Sequence, residues 1–206
     1  MDIFIQPNLP PKLVSARLTL RAVGIADISE QLLWWLNDPD TTQFLEIRHI
    51  PQTKERVERY VRERLAQPES PHLGIYDSGG HRLVGTVTVN QHDPYHKTAD
   101  ISFVVGHPVV GRQGYATEAL HAVCMYLFQV VELHKLTGGL YRDNNGSRRV
   151  FEKNGFTLEG TKRRQYQTRE GQRTDALLYG LLCSEFVPDF ALLGGDGVVI
   201  HSTREE

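Results

Sequence analysis

Apolar residues recur along the chain with two different periods, and the change of period predicts where strands and helices alternate. From Arg17 to Val23 polar and apolar residues alternate, which predicts a half-buried strand. A helix is expected to open at Asp27 and to cover the sequence ISEQLLWWLND. A second helix is expected from Thr53 to Leu65, with one apolar stripe on a charged surface. The chain therefore begins with one strand and two helices.

Three strand-like runs come next, around Leu73 to Tyr76, Leu83 to Val89 and Ala99 to Val105. Short polar segments separate them, so we expect an antiparallel meander. From Gly114 to Val131 the apolar residues follow a period of about 3.6 residues, which predicts a long helix. This helix has the most regular pattern in the sequence.

The last third of the chain predicts a strand from Lys135 to Tyr141 and a helix from Asn145 to Asn154, which Gly155 is expected to cap. Two more strands are predicted on either side of the sequence REGQR. Residues 188–206 differ in composition and fit either a short helix with a loose tail or an extra strand at GVVIH. We therefore expect one domain over residues 1–187 and a tail over residues 188–206.

The overall charge narrows the range of partners. The 206 residues carry a formal net charge of −2, which offers no field to attract a nucleic acid or an anionic membrane. No run approaches the roughly 18 apolar residues that a membrane-spanning helix needs, and the N-terminus lacks a signal-peptide pattern. Cys124 and Cys183 lie in apolar runs, where a buried thiol is the ordinary interpretation. These features favour a cytoplasmic protein without a disulfide framework, a nucleic-acid partner or a membrane partner.

A glycine-bearing loop between a strand and the long helix is the sharpest local signal. It reads GHPVVGRQGYATEA from Gly106 to Ala119, and its glycines let backbone amides approach an anion at the positive end of the helix. A Walker loop would need Lys and Ser or Thr after the last glycine, and a dinucleotide fingerprint would read GxGxxG. Neither pattern fits. The loop thus predicts a phosphate cradle, with a plain tight turn as the structural alternative.

A second loop-to-helix junction follows the next strand, with the sequence NNGSRRVFEKNGFTLEG from Asn144 to Gly160. Together with GRQGYATEAL, it resembles the GNAT superfamily of N-acetyltransferases, and within it the branch similar to the ribosomal-protein alanine N-acetyltransferases. The resemblance covers roughly residues 17–182. It implies an α/β (α+β) fold, with a mixed, mostly antiparallel sheet of about seven strands, flanked by about four helices and splayed between its fourth and fifth strands.

For the site, the resemblance implies that acetyl-CoA is the cosubstrate and that its pantetheine arm enters the gap between the splayed strands. The backbone of the fourth strand and Asn144 would lie beside pantetheine, and the loop before the long helix would bind the pyrophosphate. Gly111 stands where the family often has Gln or Arg, so side-chain help must come from Arg112 or from backbone alone. The residues expected to bind the coenzyme are Phe103, Val104, Val105, Gly111, Arg112, Gln113, Gly114, Tyr115, Ala116, Thr117, Asn144 and Ser147.

Acetylation of an amine needs a group that removes a proton, because an alkyl amine has a pKa near 10. Asp100 is the first candidate, since it begins the strand that would flank the thioester and family members often carry a carboxylate there. Its alternative is a solvent-facing carboxylate. Glu46 is the second candidate, and its alternative is an ion pair with Arg48. The N–H of Val104 or Val105 is expected to stabilise the oxyanion.

The departing thiolate lacks the acid that many family members supply. Phe151 occupies the position where those members have a tyrosine. Ser147 fills the serine position of the similar branch, so we expect a catalytic role for it as hydrogen-bond partner of the thiol; alternatively it only satisfies the start of its helix. The missing tyrosine also supports a different hypothesis, a catalytically idle acyl-CoA sensor or regulatory domain.

The acceptor is expected to be a primary amine of a small molecule or amino sugar, or a protein N-terminus, framed by the first two helices and the final hairpin. The nine histidines form no pattern typical of a metal site, so no metal is expected. The oligomeric state stays open, with a homodimer among the candidates. The residues expected to contact the acceptor are Trp35, Glu46, Arg48, Asn90 and Tyr166.

Overall fold

A single mixed sheet of nine strands organises the part of the chain that the computed structural model describes, namely residues 12–77, 82–106, 114–194 and 199–201. Four α-helices cover the sheet within those residues. The strands are β1 (Lys12–Val14), β2 (Leu18–Ala22), β3 (His72–Asp77), β4 (Leu83–Asp93), β5 (Thr98–Val105), β6 (Lys135–Tyr141), β7 (Thr157–Gln167), β8 (Arg173–Leu182) and β9 (Val199–His201). The helices are α1 (Glu30–Asn37), α2 (Lys54–Leu65), α3 (Tyr115–Gln129) and α4 (Asn145–Lys153).

The strands lie in the order β7-β8-β6-β5-β4-β3-β2-β1-β9. Every neighbouring pair is antiparallel except β5 and β6, which run parallel. The predicted fold class, including the antiparallel meander β3-β4-β5, is therefore confirmed. The two strands beyond the expected seven, β1 and β9, have three residues each, too few for a periodic pattern to reveal.

The parallel pair β5–β6 opens along its length. The two strands are paired only from Thr98 opposite Lys135 to Asp100 opposite Thr137. Beyond Asp100 they separate, although β5 continues to Val105. The predicted splay between the fourth and fifth long strands is thus present, and Asp100 lies at its apex.

One face of the sheet carries the hydrophobic core, which α3 covers. In β5, Ala99 and Ile101 are at most 2% exposed, and Leu120 of α3 is fully buried. The same cluster includes Phe151 of α4. Because alternate residues of a strand point to opposite faces, Asp100, Ser102 and Val104 point to the other face.

The helices α1 and α2 cover that other face, on the side of β3 and β4. Val57 and Val61 of α2 form a small second core with Val23. Helix α2 spans Lys54–Leu65, close to the predicted Thr53 to Leu65, and the Thr53 side chain caps it by accepting the Arg56 N–H.

The start of α1 was predicted two residues too early. Helix α1 begins after Ser29, which caps it by accepting the Leu32 N–H, and not at Asp27. The Asp27 carboxylate instead accepts hydrogen bonds from the Arg21 guanidinium and the Gly24 N–H. Asp27 and Ser29 are both residue types suited to an N-cap. The contact of Asp27 with Arg21, which the sequence does not reveal, leaves Ser29 as the cap.

The C-terminal tail packs against the domain. The Asp189 N–H donates to the imidazole of His121 on α3 over 2.8 Å, and Leu193 is 3% exposed. Val199–His201, the last three residues of GVVIH, form β9, which pairs with β1. Of the two alternatives for the tail, the extra strand is the one observed.

Candidate active site

Two clefts lie beside β5, and they share a wall. The α3 cleft, of about 480 Å³, lies between β5 and the starts of α3 and α4. The α2 cleft, of about 540 Å³, lies between the sheet and α1 and α2. Both are lined by Phe44, Leu45, Phe103 and Val104, so they meet at the splayed part of β5.

The start of α3 is built to accept an anion through its backbone. Gly114 caps the helix with φ of 79° and has no side chain to accept the first amides. A left-handed residue without a Cβ lets a ligand approach the free N–H groups and the positive end of the helix dipole. The α3 cleft is lined here by Gly114, Tyr115, Ala116 and Thr117.

A carboxylate in this first turn is neutralised. Glu118 is fully buried, and its oxygens accept hydrogen bonds from Ser15 and from the Arg17 guanidinium, which lies 2.6 Å away. The Arg17 guanidinium also lies over the ring of Tyr115. The negative charge of Glu118 is therefore paired, and the anion site keeps its positive character.

The splay supplies a second set of backbone groups. Since β5 has no β6 partner after Asp100, the amides and carbonyls of its far end that do not pair with β4 are open towards the gap. Phe103, Val104 and Val105 line the α3 cleft there. This edge fits an extended amide-containing arm, as pantetheine is, because the arm can pair with the strand as a missing neighbour would.

The start of α4 closes the α3 cleft. Asn144 is its N-cap, and its side-chain oxygen accepts the Ser147 N–H over 3.0 Å. Both residues line the cleft. Because Asn144 caps the helix, the Ser147 hydroxyl is not needed for that purpose, and the alternative that Ser147 only satisfies the helix start loses its support.

The structure thus brings nine of the predicted coenzyme-binding residues to one cleft, although their binding role stays a prediction. Gly111, Arg112 and Gln113 lie outside the described residues. The nine are Phe103, Val104, Val105, Gly114, Tyr115, Ala116, Thr117, Asn144 and Ser147.

Phe151 has a packing role under the splay. Its ring is 2% exposed and lies 5.4 Å from that of Phe103. A Cβ added at Gly138 of β6 would lie only 2.3 Å from Cζ of Phe151, so the glycine makes room for the ring. Phe151 supports the β5 wall that both clefts share.

A cluster of polar side chains closes the α2 cleft opposite β5. The Tyr141 hydroxyl at the end of β6 donates to the Glu46 carboxylate over 2.5 Å and accepts from the Arg48 guanidinium over 2.9 Å. Arg48 also donates to the carbonyls of Gln43 and Gln167. Arg48 therefore clamps the segment between α1 and α2 onto β6 and β7. Burial and the hydrogen bond to Glu46 raise the pKa of Tyr141 to about 12, which keeps this phenol protonated.

A bulge in β7 places Tyr166 beside Tyr141. Between Lys162 and Tyr166 the strand has two residues more than its partner β8, and the Asp175 carboxylate accepts the Arg164 N–H there over 2.8 Å. The rings of Tyr166 and Tyr141 stack with centroids 4.1 Å apart. Burial and the charges of Glu46 and Asp100 raise the pKa of Tyr166.

Asp100 lies at the apex of the splay, on the same face of the sheet as Ser102. Burial raises the pKa of its carboxyl to about 6, against an opposing effect of the Thr137 hydroxyl, which donates over 3.1 Å. A carboxylate with this pKa is ionised at neutral pH yet basic enough to take a proton.

His72 of β3 lines the α2 cleft as a neutral imidazole. Its Nδ1 is hydrogen-bonded to the Thr88 hydroxyl over 2.7 Å, and Tyr60 of α2 lies edge-on to the ring. Burial, with the nearby charge of Arg64, lowers the pKa of His72 to about 4.

Of the five predicted acceptor residues, the structure places two in the lining of the α2 cleft and three outside it. Glu46 and Tyr166 line the α2 cleft. Arg48 holds Tyr141 beside it, and the Asn90 side chain is occupied by Arg64 and Ser102. Trp35 is 3% exposed and packs against Gly106, where an added Cβ would lie 2.3 Å from the indole. The described linings of both clefts do not include Trp35, so the structure gives it a packing position.

Among the cleft residues that sequence reasoning missed, Tyr141 and His72 have the most distinctive chemistry. Tyr141 is the last residue of a predicted strand, and His72 comes directly before another predicted strand. Both side chains point to the α2 side of the sheet. In this strand Thr137, Gly139 and Tyr141 alternate with the buried Leu136 and Leu140. That alternation places Tyr141 on the face away from the core and could have predicted its position in the cleft.

The described residues show neither a metal-binding cluster nor a membrane-spanning helix. They contain no cluster of three or more His, Cys, Asp or Glu side chains placed to bind a metal ion. None of the helices in the described ranges is both long and apolar enough to cross a membrane.

Comparison with known proteins identifies the family. Residues 17–157, more than half of the chain, match the profile of the family described as acetyltransferase (GNAT) domain. The probable N-acetyltransferase YjcK of Bacillus subtilis (strain 168) is 37% identical over 112 residues, which span 54% of this chain and 61% of that protein. That match therefore covers less than two thirds of the relative's length.

Solved structures share the fold. RimL, a ribosomal α-N-protein acetyltransferase in complex with coenzyme A, has a TM-score of 0.73 at 21% identity over 82% of this chain and 96% of its own. The spermidine N-acetyltransferase of Vibrio cholerae, in complex with CoA and spermine, has a TM-score of 0.72 at 20% identity over the same shares, 82% and 96%. With the family profile covering both motif-bearing junctions, this chain belongs to the GNAT family of N-acetyltransferases.

Proposed function

We propose that this protein transfers the acetyl group of acetyl-CoA to a primary amine of a small molecule by direct attack of the amine on the thioester. The observation that carries the proposal is the meeting of two clefts at Phe103 and Val104. One cleft has the features of a coenzyme site, and the other approaches the same strand from the opposite face of the sheet.

The α3 cleft would hold the coenzyme. The first amides of α3 after Gly114 would bind the pyrophosphate, and the open edge of β5 at Phe103 to Val105 would pair with the pantetheine arm. When bound, acetyl-CoA supplies an activated acetyl group as a thioester. The N–H of Val104 or Val105 stabilises the negative charge that develops on the carbonyl oxygen.

Asp100 is the group that we propose accepts the proton of the amine. It faces the α2 side of β5, two residues from Ser102 of the cleft wall, and neither described cleft lining includes it. Since Val104 lies roughly 13 Å further along β5, Asp100 would take the proton through bridging water, and its pKa of about 6 suits a base at neutral pH. Glu46 is the alternative base, and Tyr141 holds its carboxylate at the cleft. The Ser147 hydroxyl would hydrogen-bond the sulfur of the departing thiolate.

The charges of the α2 cleft bear on the acceptor. Its lining carries two carboxylates, Glu46 and Glu63, and two guanidinium groups, Arg56 and Arg59. One structural neighbour is named as a spermidine N-acetyltransferase. A polycation such as spermidine would meet as many positive as negative groups in this cleft, so the charges of the lining do not favour it. We therefore rank a small amine or amino sugar above a polyamine and above a protein N-terminus. We also propose a cytoplasmic location, where acetyl-CoA would be available.

The test is a free-thiol release assay with acetyl-CoA against amino sugars, nucleotide-linked amino sugars, polyamines and peptides with varied N-termini. Thiol release with one class of amine would support the transferase and identify its acceptor. Tight binding of coenzyme A by calorimetry, with no release across the panel, would instead support the acyl-CoA sensor, a hypothesis that rests only on Phe151.

A further inference from the structure

The floor of the α2 cleft is polar where a covered sheet face is ordinarily apolar. Helices lie on both faces of this sheet, and strands covered on both faces are usually rich in Val, Ile and Leu. On the α2 side, however, the cleft floor contains His72, Thr86, Thr88 and Ser102. The core face of the same strands keeps apolar residues such as Val87, which is fully buried. The polar groups therefore belong to the cleft.

The strand register arranges these residues in a row. His72 is opposite Thr88, and Thr88 is opposite Ser102, so the three span β3, β4 and β5. In the next row, Thr86 is opposite Val104, where the two clefts meet. With strands about 4.8 Å apart and alternate residues about 7 Å apart, this floor covers roughly 10 Å by 7 Å beside the meeting point.

Several hydrogen-bonding groups of the floor are uncommitted. Nδ1 of His72 is bound to Thr88, which leaves Nε2 without a partner among the described residues. The Ser102 hydroxyl accepts from Asn90 and keeps its own proton to donate. The Thr86 hydroxyl has no hydrogen bond within the described ranges. Groups of this kind in a cleft favour a ligand that brings its own hydroxyls, because an apolar ligand that displaced water from them would leave them unpaired.

We propose that the acceptor is a cyclic amine bearing several hydroxyls, of the amino-sugar class, whose ring lies flat on this floor with its amine at Val104. The inference rests on the proposed function and names its acceptor. A six-membered ring with its substituents matches the size of the floor, and Ser102 lies about 7 Å along β5 from the meeting point, one ring away. Ser102 and Thr86 are specificity residues for these hydroxyls.

The experiment compares glucosamine with cyclohexylamine, which has a ring and an amine but no hydroxyls. For wild-type protein, Ser102→Ala and Thr86→Val, kcat/KM is measured with acetyl-CoA for both amines. We expect each substitution to lower the ratio of glucosamine to cyclohexylamine by about tenfold, the effect of one lost hydrogen bond. Comparing ratios between variants cancels the different basicities of the two amines. Thr161→Val on β7, outside the described linings of both clefts, is the matched control and should leave the ratio unchanged.

The outcomes separate this inference from the proposed function. A ratio that changes by less than twofold in both variants would overturn the inference, and so would a higher kcat/KM for spermidine or an alanyl peptide than for glucosamine. In either case acetyl transfer itself would stand. If no amine releases thiol while coenzyme A binds, the proposed function fails and the inference with it. Ser102 is exposed, and its one side-chain partner within the described ranges is Asn90, so Ser102→Ala gives a folded variant even if Thr86→Val does not.

Discussion

The α3 cleft and the α2 cleft share a wall on β5 but are built in different ways. The α3 cleft presents backbone from the first turn of α3 and from the open edge of β5, and its lining comes from four short segments of sequence, 40–45, 103–105, 114–117 and 144–153. The α2 cleft presents side chains, and they come from β3, β4, β5, β6, β7 and both covering helices. A cleft made of backbone tolerates side-chain change and suits a constant coenzyme. A cleft made of side chains can diverge, which suits an acceptor that differs between relatives.

Replacement of Asp100 tests the proposed base at the apex of the splay and has the largest expected effect. Asp100→Asn should lower kcat by about 100-fold or more, the usual contribution of a general base, and leave the Kd of coenzyme A unchanged. In the wild type, activity should rise with pH through about 6 as Asp100 loses its proton.

Glu46→Gln is the matched comparison for Asp100→Asn. Glu46 would instead be the base if Glu46→Gln lost more kcat than Asp100→Asn, and if the activity of Asp100→Asn still fell as the pH dropped through about 6. Burial disfavours the ionised form of Asp100, so Asp100→Asn should unfold at no lower temperature at neutral pH, and thermal unfolding checks this.

The backbone character of the α3 cleft is tested at Gly114. Gly114→Ala places a side chain on a residue with φ of 79° and should weaken coenzyme A binding about tenfold, because the first amides of α3 must shift. Gly171→Ala is a close control, since Gly171 has φ of 81° in the β7–β8 hairpin.

Both glycine variants should lose about 1 kcal/mol of the free energy of unfolding, measured by denaturant titration. Only Gly114→Ala should change the Kd of coenzyme A in calorimetry. An equal loss of affinity in both would mean that the effect is general destabilisation.

The side-chain character of the α2 cleft is tested at Tyr141. Tyr141→Phe removes the hydroxyl that joins Glu46 and Arg48 but keeps the stack on Tyr166. The KM of the acceptor should rise about fivefold with the Kd of coenzyme A unchanged. Tyr179→Phe removes a hydroxyl that donates to Glu152 and serves as the control. A change in coenzyme affinity, with acceptor KM constant, would contradict the division between the clefts.

The smallest effect is expected at Ser147. Ser147→Ala should slow turnover only about threefold, because a thiolate with a pKa near 8.5 leaves without strong assistance. It should not change the free energy of unfolding, since Asn144 caps α4, whereas Asn144→Ala should lower it by about 1 kcal/mol. Equal destabilisation by both substitutions would give Ser147 the capping role instead.

Local patterns predicted the two helix starts that line the α3 cleft, because each helix start depends on residues close in sequence. The period of Gly114 to Val131 located α3, and the glycine before it located the helix start. The junction at Asn144 fixed the start of α4 at Asn145, as predicted. These features depend on neighbours in sequence, where capping and periodicity act.

The α2 cleft could not be predicted in the same way. Tyr166 reaches it only because a bulge held by Asp175 redirects β7, and Trp35 misses it because Gly106 leaves room for the indole. Both outcomes depend on contacts between segments far apart in sequence. The polar face of β3, β4 and β5 was visible as alternation, but alternation does not tell which polar face a helix covers.

The most direct test of the account is the initial-rate pattern of acetyl transfer with both substrates varied. If the two clefts meet at β5 and hold coenzyme and acceptor together, double-reciprocal plots should intersect, and coenzyme A should compete with acetyl-CoA. Parallel lines would show that the acetyl group passes through the protein before the amine binds, and would contradict direct transfer at the meeting of the clefts.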